Sequence, residues 1–236
     1  MTRGVTTLEQ MVSNLRLETY RSNDVALGQD EYPALVRLLQ SVQKQLYTEF
    51  DWPFLKIRRD VTIAAGQRYY DFPTDLDFER IHSVKLLWSG TWTSLERGIT
   101  MDDYNLFDSD SDERSDPQIK WDVIDAGSGE QIEVWPMPNT DGNTLRFSGY
   151  KSLSPLLADD DVCTLDDDLI VFYAASELLA KDGSPDAQNK LNRAKQLFSR
   201  IKSQSNATEN MTFSMSGASK PRYPRKQIIA VHDSGV

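Results

Sequence analysis

The stretch YPALVRLLQSVQKQLYTEFDWPFL, residues 32–55, contains the change of hydrophobic period that decides the fold. Apolar residues recur in it at helical spacing with polar side chains between them, which predicts an amphipathic helix. Pro33 is tolerated in the first turn of such a helix. Pro53 should end it, because proline disfavours helical backbone at the residue before it. The apolar stripe consists of Leu35, Leu38, Leu39, Val42, Leu46 and Phe50.

Beyond this helix, to about residue 150, apolar and polar residues alternate, which is typical of short strands. Turn-forming sequences separate the strands, including AAGQ, FPTD, WSGTW and DAGSGE, and a long hairpin-like connection is centred on Asp141-Gly142. Roughly six strands in an antiparallel sandwich or small barrel fit this spacing. The acidic stretch FDSDSDERSDP, residues 107–117, is predicted to be a solvated loop. The alternating pairs are Val61/Ile63, Val84/Leu86/Trp88, Ile132/Val134 and Leu145/Phe147.

Helical spacing is present at both ends of the chain. Thr6 and Glu9 have the spacing of a capping box, so a first helix should run to about Arg21. A second helical pair starts near residue 164 and is divided at Gly183-Ser184-Pro185, where a C-terminal glycine precedes the N-cap Ser184 and a first-turn proline.

These patterns predict an α+β fold. A four-helix core from both chain ends would comprise residues 1–53 and 156–205. An antiparallel β-sandwich or small barrel, residues 54–155, would be inserted between the helical pairs. Residues 206–236, which have no helical stripe, would form an extended C-terminal arm.

Six aspartates, at positions 159–161 and 166–168, lie within ten residues just before the third helix. Thr164 and Asp167 have capping-box spacing, and carboxylates are stabilised at the positive end of a helix dipole. The favoured interpretation is therefore a helix start. A calcium site is the alternative, but the alternating oxygens, glycine and terminal glutamate of an EF-hand are not in register. We predict no metal site.

Composition excludes several classes of function. The net charge of −10 argues against a general nucleic-acid binder, because duplex affinity comes mainly from Lys and Arg. One cysteine excludes an internal disulfide framework. Neither a signal peptide nor an apolar run long enough to span a bilayer is present, so synthesis in a reducing cytoplasm is expected.

No catalytic or cofactor-binding residue is predicted. His82 and His232 lie in a predicted strand and in the tail, Cys163 lies in an acidic setting, and nucleophile-elbow and phosphate-loop motifs are absent from the sequence. A carboxylate pair for glycoside hydrolysis stays open, since with so many acids some pair is close in any fold. The aromatic residues are expected in the core and at subunit interfaces, because base-stacking platforms come with a basic groove. They include Trp52, Phe54, Trp88, Trp92, Trp121 and Trp135.

The region 206–236 is basic, with four Lys and Arg against two acids. Its final run KQIIAVHD is prone to β structure and can add a strand to an exposed sheet edge. We therefore predict a partner-binding arm that orders on a partner. Its proposed contact residues are Met211, Phe213, Met215, Lys220, Arg222, Arg225, Lys226, Ile228, Ile229 and Val231.

Four segments together resemble the head-to-tail connector adaptors of tailed bacteriophages, in particular tail tubular protein A and the tail accessory factors of short-tailed phages. They are the quoted residues 32–55, YDFPTDLDFERIHSV, GEQIEVWPMPNTDGNTLRFSGYKSLSPL, and LDDDLIVFYAASELLAKDGSPDAQNKLNRAKQLFSRI. The resemblance covers roughly residues 30–205.

The resemblance implies a non-enzymatic virion protein at the head-tail junction, a helical bundle with a β insertion. Its partners would be the portal protein, neighbouring adaptor subunits in a twelve-fold ring, and a downstream tail or nozzle protein. Genomic DNA would pass through without specific binding, and no membrane or cofactor would be involved. The alternative function is a phage-associated cell-wall hydrolase that uses a carboxylate pair.

Overall fold

The structure, a computed structural model, describes residues 5–23, 30–125 and 129–206, with side chains described up to residue 203. These ranges form an α+β fold with the elements α1 (Leu8–Glu18), α2 (Tyr32–Glu49), β1 (Lys56–Thr62), β2 (Tyr69–Asp71), β3 (Leu76–Trp88), β4 (Thr91–Arg97), α3 (Met101–Leu106), β5 (Lys120–Asp125), β6 (Glu130–Trp135), β7 (Thr144–Lys151), α4 (Asp167–Lys181) and α5 (Asp186–Asn206). Single 3-10 turns lie at Pro53–Leu55 and Ser109–Ser111.

Helix α1 starts one residue later than the capping-box spacing predicted. Thr7 is the N-cap, and its partner in the capping box is Gln10, so the predicted pair of Thr6 and Glu9 is wrong. The Thr6 hydroxyl instead donates a hydrogen bond to the Asp167 carboxylate at the start of α4. The residue before α1 is thus tied to the start of α4, which sequence spacing within one helix does not reveal.

Helix α2 confirms the prediction from residues 32–55. It begins at Tyr32 with Pro33 in its first turn, and backbone at Phe50 is already extended before Pro53. The Trp52 indole N–H donates to the Leu46 carbonyl at 2.9 Å. This bond satisfies one of the carbonyls that the end of a helix leaves without an intrahelical donor.

One cluster of buried side chains joins the helices. Leucines of α1, α2 and α4 lie in it together, and Ile201 of α5 is buried against them. The ring of Phe198 on α5 meets the ring of Trp52 edge to face, with 5.7 Å between centroids. Apolar faces from both ends of the chain therefore share one core.

The predicted division between α4 and α5 at Gly183 is confirmed. Gly183 has a φ of 69°, which favours glycine. Its N–H donates to the Ala180 carbonyl and the Ser184 N–H donates to the Leu179 carbonyl, which is the Schellman pattern. The Ser184 hydroxyl accepts a hydrogen bond from the Asp186 N–H (3.4 Å) at the start of α5.

The strands form a single mixed sheet of seven strands in the order β1-β7-β3-β4-β5-β6-β2, curled into a half-barrel. The predicted antiparallel sandwich or small barrel of six strands is therefore wrong. Strands β4 and β5 are parallel. A parallel pair needs a long crossover connection, and the connection containing α3 brings the chain back alongside β4, where β5 begins. The predicted alternation is confirmed by a second buried cluster that includes Ile63, Val84, Leu86, Ile132, Val134, Leu145 and Phe147.

Two predicted turns have different outcomes. Ser89 and Gly90 both have positive φ, which produces the tight turn of the β3-β4 hairpin. The connection at Asp141-Gly142 is not a hairpin, because β6 and β7 are not neighbours in the sheet. It crosses between the two halves of the sheet, and the Gly142 N–H donates to the Ile63 carbonyl at 3.0 Å.

Arg80 of β3 joins the sheet to the helices. Its guanidinium lies between the rings of Tyr47 and Tyr150, at 4.6 and 4.8 Å from their centroids. It donates to the carbonyls of Tyr47 and Phe50 at the end of α2 and forms an ion pair with Asp51. We call this arrangement the Arg80 junction.

Tyr47 adds a second set of bonds to this junction. Its hydroxyl donates to the Asp77 carboxylate at 2.6 Å and lies 3.0 Å from the Lys151 carbonyl. Burial and the bond to Asp77 raise the pKa of Tyr47 to about 12. The phenol therefore stays a protonated donor at physiological pH.

Gly149 of β7 allows the close approach of β3. A Cβ at this position would lie 2.8 Å from the Arg80 carbonyl oxygen and 3.1 Å from a Leu76 methyl group. Because the Arg80 carbonyl oxygen belongs to the backbone, the clash with a Cβ at position 149 can be removed only if β3 and β7 move apart. We expect Gly149→Ala to lower the free energy of unfolding by about 1 to 3 kcal/mol in urea denaturation.

The matched control is Ser148→Ala on the same strand. It should change the unfolding free energy by less than about 0.5 kcal/mol, as most surface substitutions do. An unchanged urea midpoint for Gly149→Ala would contradict this account of the β3-β7 contact.

Candidate interaction surfaces

The acidic stretch before α4 forms a helix start, but its capping residue differs from the prediction. Asp166 is the N-cap, and its buried carboxylate accepts the Leu169 N–H at 3.1 Å. The predicted cap Thr164 is two residues too early. Its hydroxyl accepts the Ser154 N–H (3.2 Å) in the preceding connection. Asp167, the other predicted capping residue, lies in the first turn and accepts the bond from Thr6.

Asp166, Asp167 and Asp168 bring carboxylate oxygens within 4.8 Å of one another. Two of the three are already hydrogen-bonded, one to its own helix and one to Thr6. Burial and the neighbouring carboxylates raise the pKa of Asp168. The capping of α4 by Asp166 and the bond from Thr6 to Asp167 explain why the three carboxylates lie close together.

Cys163 is buried, and His82 packs against an aromatic ring. Burial raises the pKa of the Cys163 thiol to about 12, so the thiol is protonated at physiological pH. The His82 ring lies against the Tyr150 ring at 4.9 Å between centroids.

A cleft between α1 and α2, about 650 Å³ in volume, brings together the carboxylates of Glu9, Asp30 and Asp159. Arg16 also lines the cleft, and the Tyr32 hydroxyl donates a hydrogen bond to Asp159. One of the carboxylates is therefore engaged by the helix that forms the wall. The hydrolase alternative stays a prediction.

Of the five tryptophans, three are buried, Trp88 is half-buried against the sheet cluster and Trp92 is more exposed, and the predicted use of aromatic residues at subunit interfaces stays a prediction. Trp52 lies in the helical cluster, and Trp121 and Trp135 are buried in the sheet region. Trp92 of β4 is 36% exposed, and the Arg146 guanidinium lies over its ring at 4.2 Å from the centroid. Trp92 therefore belongs to a surface.

That surface is a basic cleft of about 760 Å³ on the outer side of the half-sheet β1-β7-β3-β4. Lys56, Arg58, Lys85 and Arg146 line it together with Trp92, and the described residues of its lining include no carboxylate. We call these five residues the basic sheet face. Sequence reasoning missed it, because the cations come from three strands and become neighbours only through the register.

The register aligns the cations across the strands. Lys85 of β3 lies opposite Arg146 of β7, and Arg58 of β1 lies opposite Ser148 two residues further on. Arg146 forms two hydrogen bonds of 2.7 Å with Asp60 at the rim. Within the described ranges, Lys56, Arg58 and Lys85 make no ion pair.

A surface of opposite sign lies on the other half of the sheet. Residues 101–117, which we call the acidic segment, contain seven carboxylates and one cation, Arg114. Residues 107–117 were predicted to be a solvated loop, but they contain local structure that the prediction lacked. A 3-10 turn capped by Asp108 lies there, and Ser109 is buried. Helix α3, which precedes this turn, was not predicted.

Buried contacts fix the acidic segment on the sheet. Arg68 forms ion pairs with the buried Glu133 of β6 and with Asp110 of the segment. The Tyr104 hydroxyl donates to the same Glu133 at 2.7 Å, and the Trp135 indole N–H donates to the Phe107 carbonyl at 3.1 Å. The segment therefore presents its remaining carboxylates from a rigid base.

The proposed contact residues of the arm, at positions 211–231, lie outside the described residues. No helix in the described ranges is long and apolar enough to cross a membrane.

The chain was compared with models of known protein families. The sequence profile of the SU10 adaptor protein family matches residues 6–220. The chain therefore belongs to the SU10 adaptor family, a phage head-tail adaptor family, in agreement with the resemblance drawn from the sequence. No curated protein matches the chain.

We predict that Asp166→Ala lowers the unfolding free energy by about 0.5 to 2 kcal/mol, because it removes the N-cap of α4. Thr164→Asn is the matched control, since an amide oxygen can still accept the Ser154 N–H without altering the cap. Thermal unfolding followed by circular dichroism distinguishes them. Equal melting temperatures for Asp166→Ala and the unaltered chain would show that the cap is not stabilising.

Proposed function

We propose that this protein is a structural head-to-tail adaptor that forms a ring beneath the portal, joins the capsid to the tail and surrounds the DNA channel. The observation that carries the proposal is the family match, which runs over 6–220 and thus includes the helices, the sheet and the beginning of the arm. Membership of an adaptor family implies that the protein binds other phage head and tail proteins.

The ring would be a twelve-fold homo-oligomer, with the portal on one side and a tail or nozzle protein on the other. A closed ring requires head-to-tail contacts between two different surfaces of each subunit. The two oppositely charged halves of the sheet support such a contact. A ring could not form from a single self-complementary patch.

The net charge of −10 supports passage of DNA without adhesion. Carboxylates repel backbone phosphates over about 8 to 10 Å at physiological salt. A duplex moving through the ring would therefore encounter few strong binding sites on an acidic wall.

We further propose that the helices, residues 1–53 and 156–205, act as one domain and that residues 54–155 are a domain inserted between them. The separate buried clusters of helices and sheet support this division. The Arg80 junction would hold the two domains in a fixed orientation.

Residues 206–236 would act as an arm that binds the portal or a neighbouring subunit. Their apolar anchors Ile228, Ile229 and Val231 follow a basic lead-in, which is opposite in charge to the rest of the chain. Ordering the arm costs conformational entropy, so the partner must supply extensive contacts.

We expect deletion of 206–236 to leave the melting temperature nearly unchanged while weakening attachment to isolated portal rings at least about tenfold, a loss of about 1.4 kcal/mol. Co-sedimentation with portal rings measures attachment. Replacing Ile228, Ile229 and Val231 by serine is a finer test and should weaken attachment in the same direction.

The matched control combines Ser214→Ala, Ser216→Ala and Ser219→Ala, which keeps the arm and its apolar anchors. It should bind as the unaltered chain does. Attachment of the truncated chain equal to that of the full chain would refute the arm proposal, and failure of the full chain to bind portal rings would refute the adaptor function.

A further inference from the structure

We propose that the basic sheet face of one subunit docks onto the acidic segment of the next copy of this chain. The proposal rests on the proposed ring and names the two surfaces that would form its subunit contact. Three observations support it: a group of exposed cations, a preorganised acidic partner surface, and the placement of the two surfaces on one sheet.

The basic sheet face is built to meet a partner of negative charge. Lys56, Arg58 and Lys85 are exposed and, among the described residues, have no carboxylate partner. The partly exposed Trp92 adds an aromatic surface next to them. Cations and an aromatic ring together are the combination enriched at protein interfaces, where Arg and Trp are common.

The acidic segment has the complementary properties. Asp102, Asp112 and Glu113 are exposed; Asp112 is paired with Arg114, the one cation of the segment, and the segment keeps its net negative charge. Met101 and Leu106 are 77% and 66% exposed, which leaves two large apolar side chains beside the carboxylates. Opposite charge surrounding matched apolar groups favours docking in one register.

The two surfaces lie on different halves of the sheet, which agrees with a head-to-tail contact. The basic sheet face lies on β1, β7, β3 and β4, whereas Tyr104 and Phe107 hold the acidic segment against β6. A subunit that docks through one surface therefore leaves the other free for the next subunit. Repetition of this contact closes a ring when the rotation between neighbours divides a full turn.

A second copy fits the basic sheet face better than duplex DNA does. Duplex binding depends on many Lys and Arg contacts with phosphates, whereas this face has four cations, one of them already paired with Asp60. The protein itself is strongly acidic and offers a rigid carboxylate surface together with apolar side chains. DNA does not offer apolar side chains of that kind.

The test is a charge exchange in the full-length chain, read as ring assembly on isolated portal rings by negative-stain imaging and sedimentation. One variant carries Lys56→Glu, Arg58→Glu and Lys85→Glu. A second carries Asp102→Lys, Asp112→Lys and Glu113→Lys. Each should lower assembly at least about tenfold, because like charges then face each other. The variant with all six changes should recover assembly.

The matched control carries Lys44→Glu, Lys195→Glu and Arg200→Glu, which make the same change of net charge as the first variant at exposed helical positions. It should assemble as the unaltered chain does. Circular dichroism melting of every variant identifies misfolding, and a variant that fails to fold is replaced by its single changes. Assembly of the unaltered chain should fall as sodium chloride rises.

The outcomes separate this interface from the function it rests on. If the unaltered chain attaches to portals and either three-residue reversal assembles equally well, or the six-residue exchange fails to restore assembly, the interface is wrong while the adaptor function stands. If the unaltered chain does not attach, both fail. Tight binding of a duplex that is lost with Lys56→Glu, Arg58→Glu and Lys85→Glu would assign the face to nucleic acid and overturn the proposal.

Discussion

The rest of the structure depends on Arg80, whose guanidinium lies between the rings of Tyr47 and Tyr150 and bonds to the last carbonyls of α2. Carbonyls at the end of a helix need donors from outside it. Here a sheet residue supplies them, so the end of α2 and the placement of β3 are fixed together. The sheet cannot rotate against the helices without breaking these hydrogen bonds and the cation-aromatic contact of Arg80 with Tyr47 of α2. Such contacts stabilise most when they are shielded from water.

This rigid connection gives the charge distribution its significance. An acidic chain with net charge −10 concentrates four cations on one half of its sheet. The buried pair of Arg68 and Glu133 holds a dense acidic segment on the other half. Because both surfaces are fixed to one sheet, the orientation of a neighbouring subunit would be determined by folding of the first.

Part of this could be predicted from sequence, where the deciding physics is local. Periodicity predicted α2 and the alternating buried residues, and Gly183 predicted a helix boundary, because proline, glycine and side-chain spacing act within a few residues. The predicted caps Thr6 and Thr164 failed, because the Thr6 hydroxyl bonds to Asp167 and the Thr164 hydroxyl to Ser154. The parallel β4-β5 pair and the basic sheet face were missed, because both depend on strand order, a long-range property.

The most direct measurement is a cryo-electron microscopy reconstruction of the head-tail junction of particles assembled with this chain. The account predicts a closed ring of copies directly beneath the portal, with Lys56, Arg58 and Lys85 of each subunit facing residues 101–117 of the next. Density for the chain elsewhere in the particle, or no closed ring beneath the portal, would contradict it.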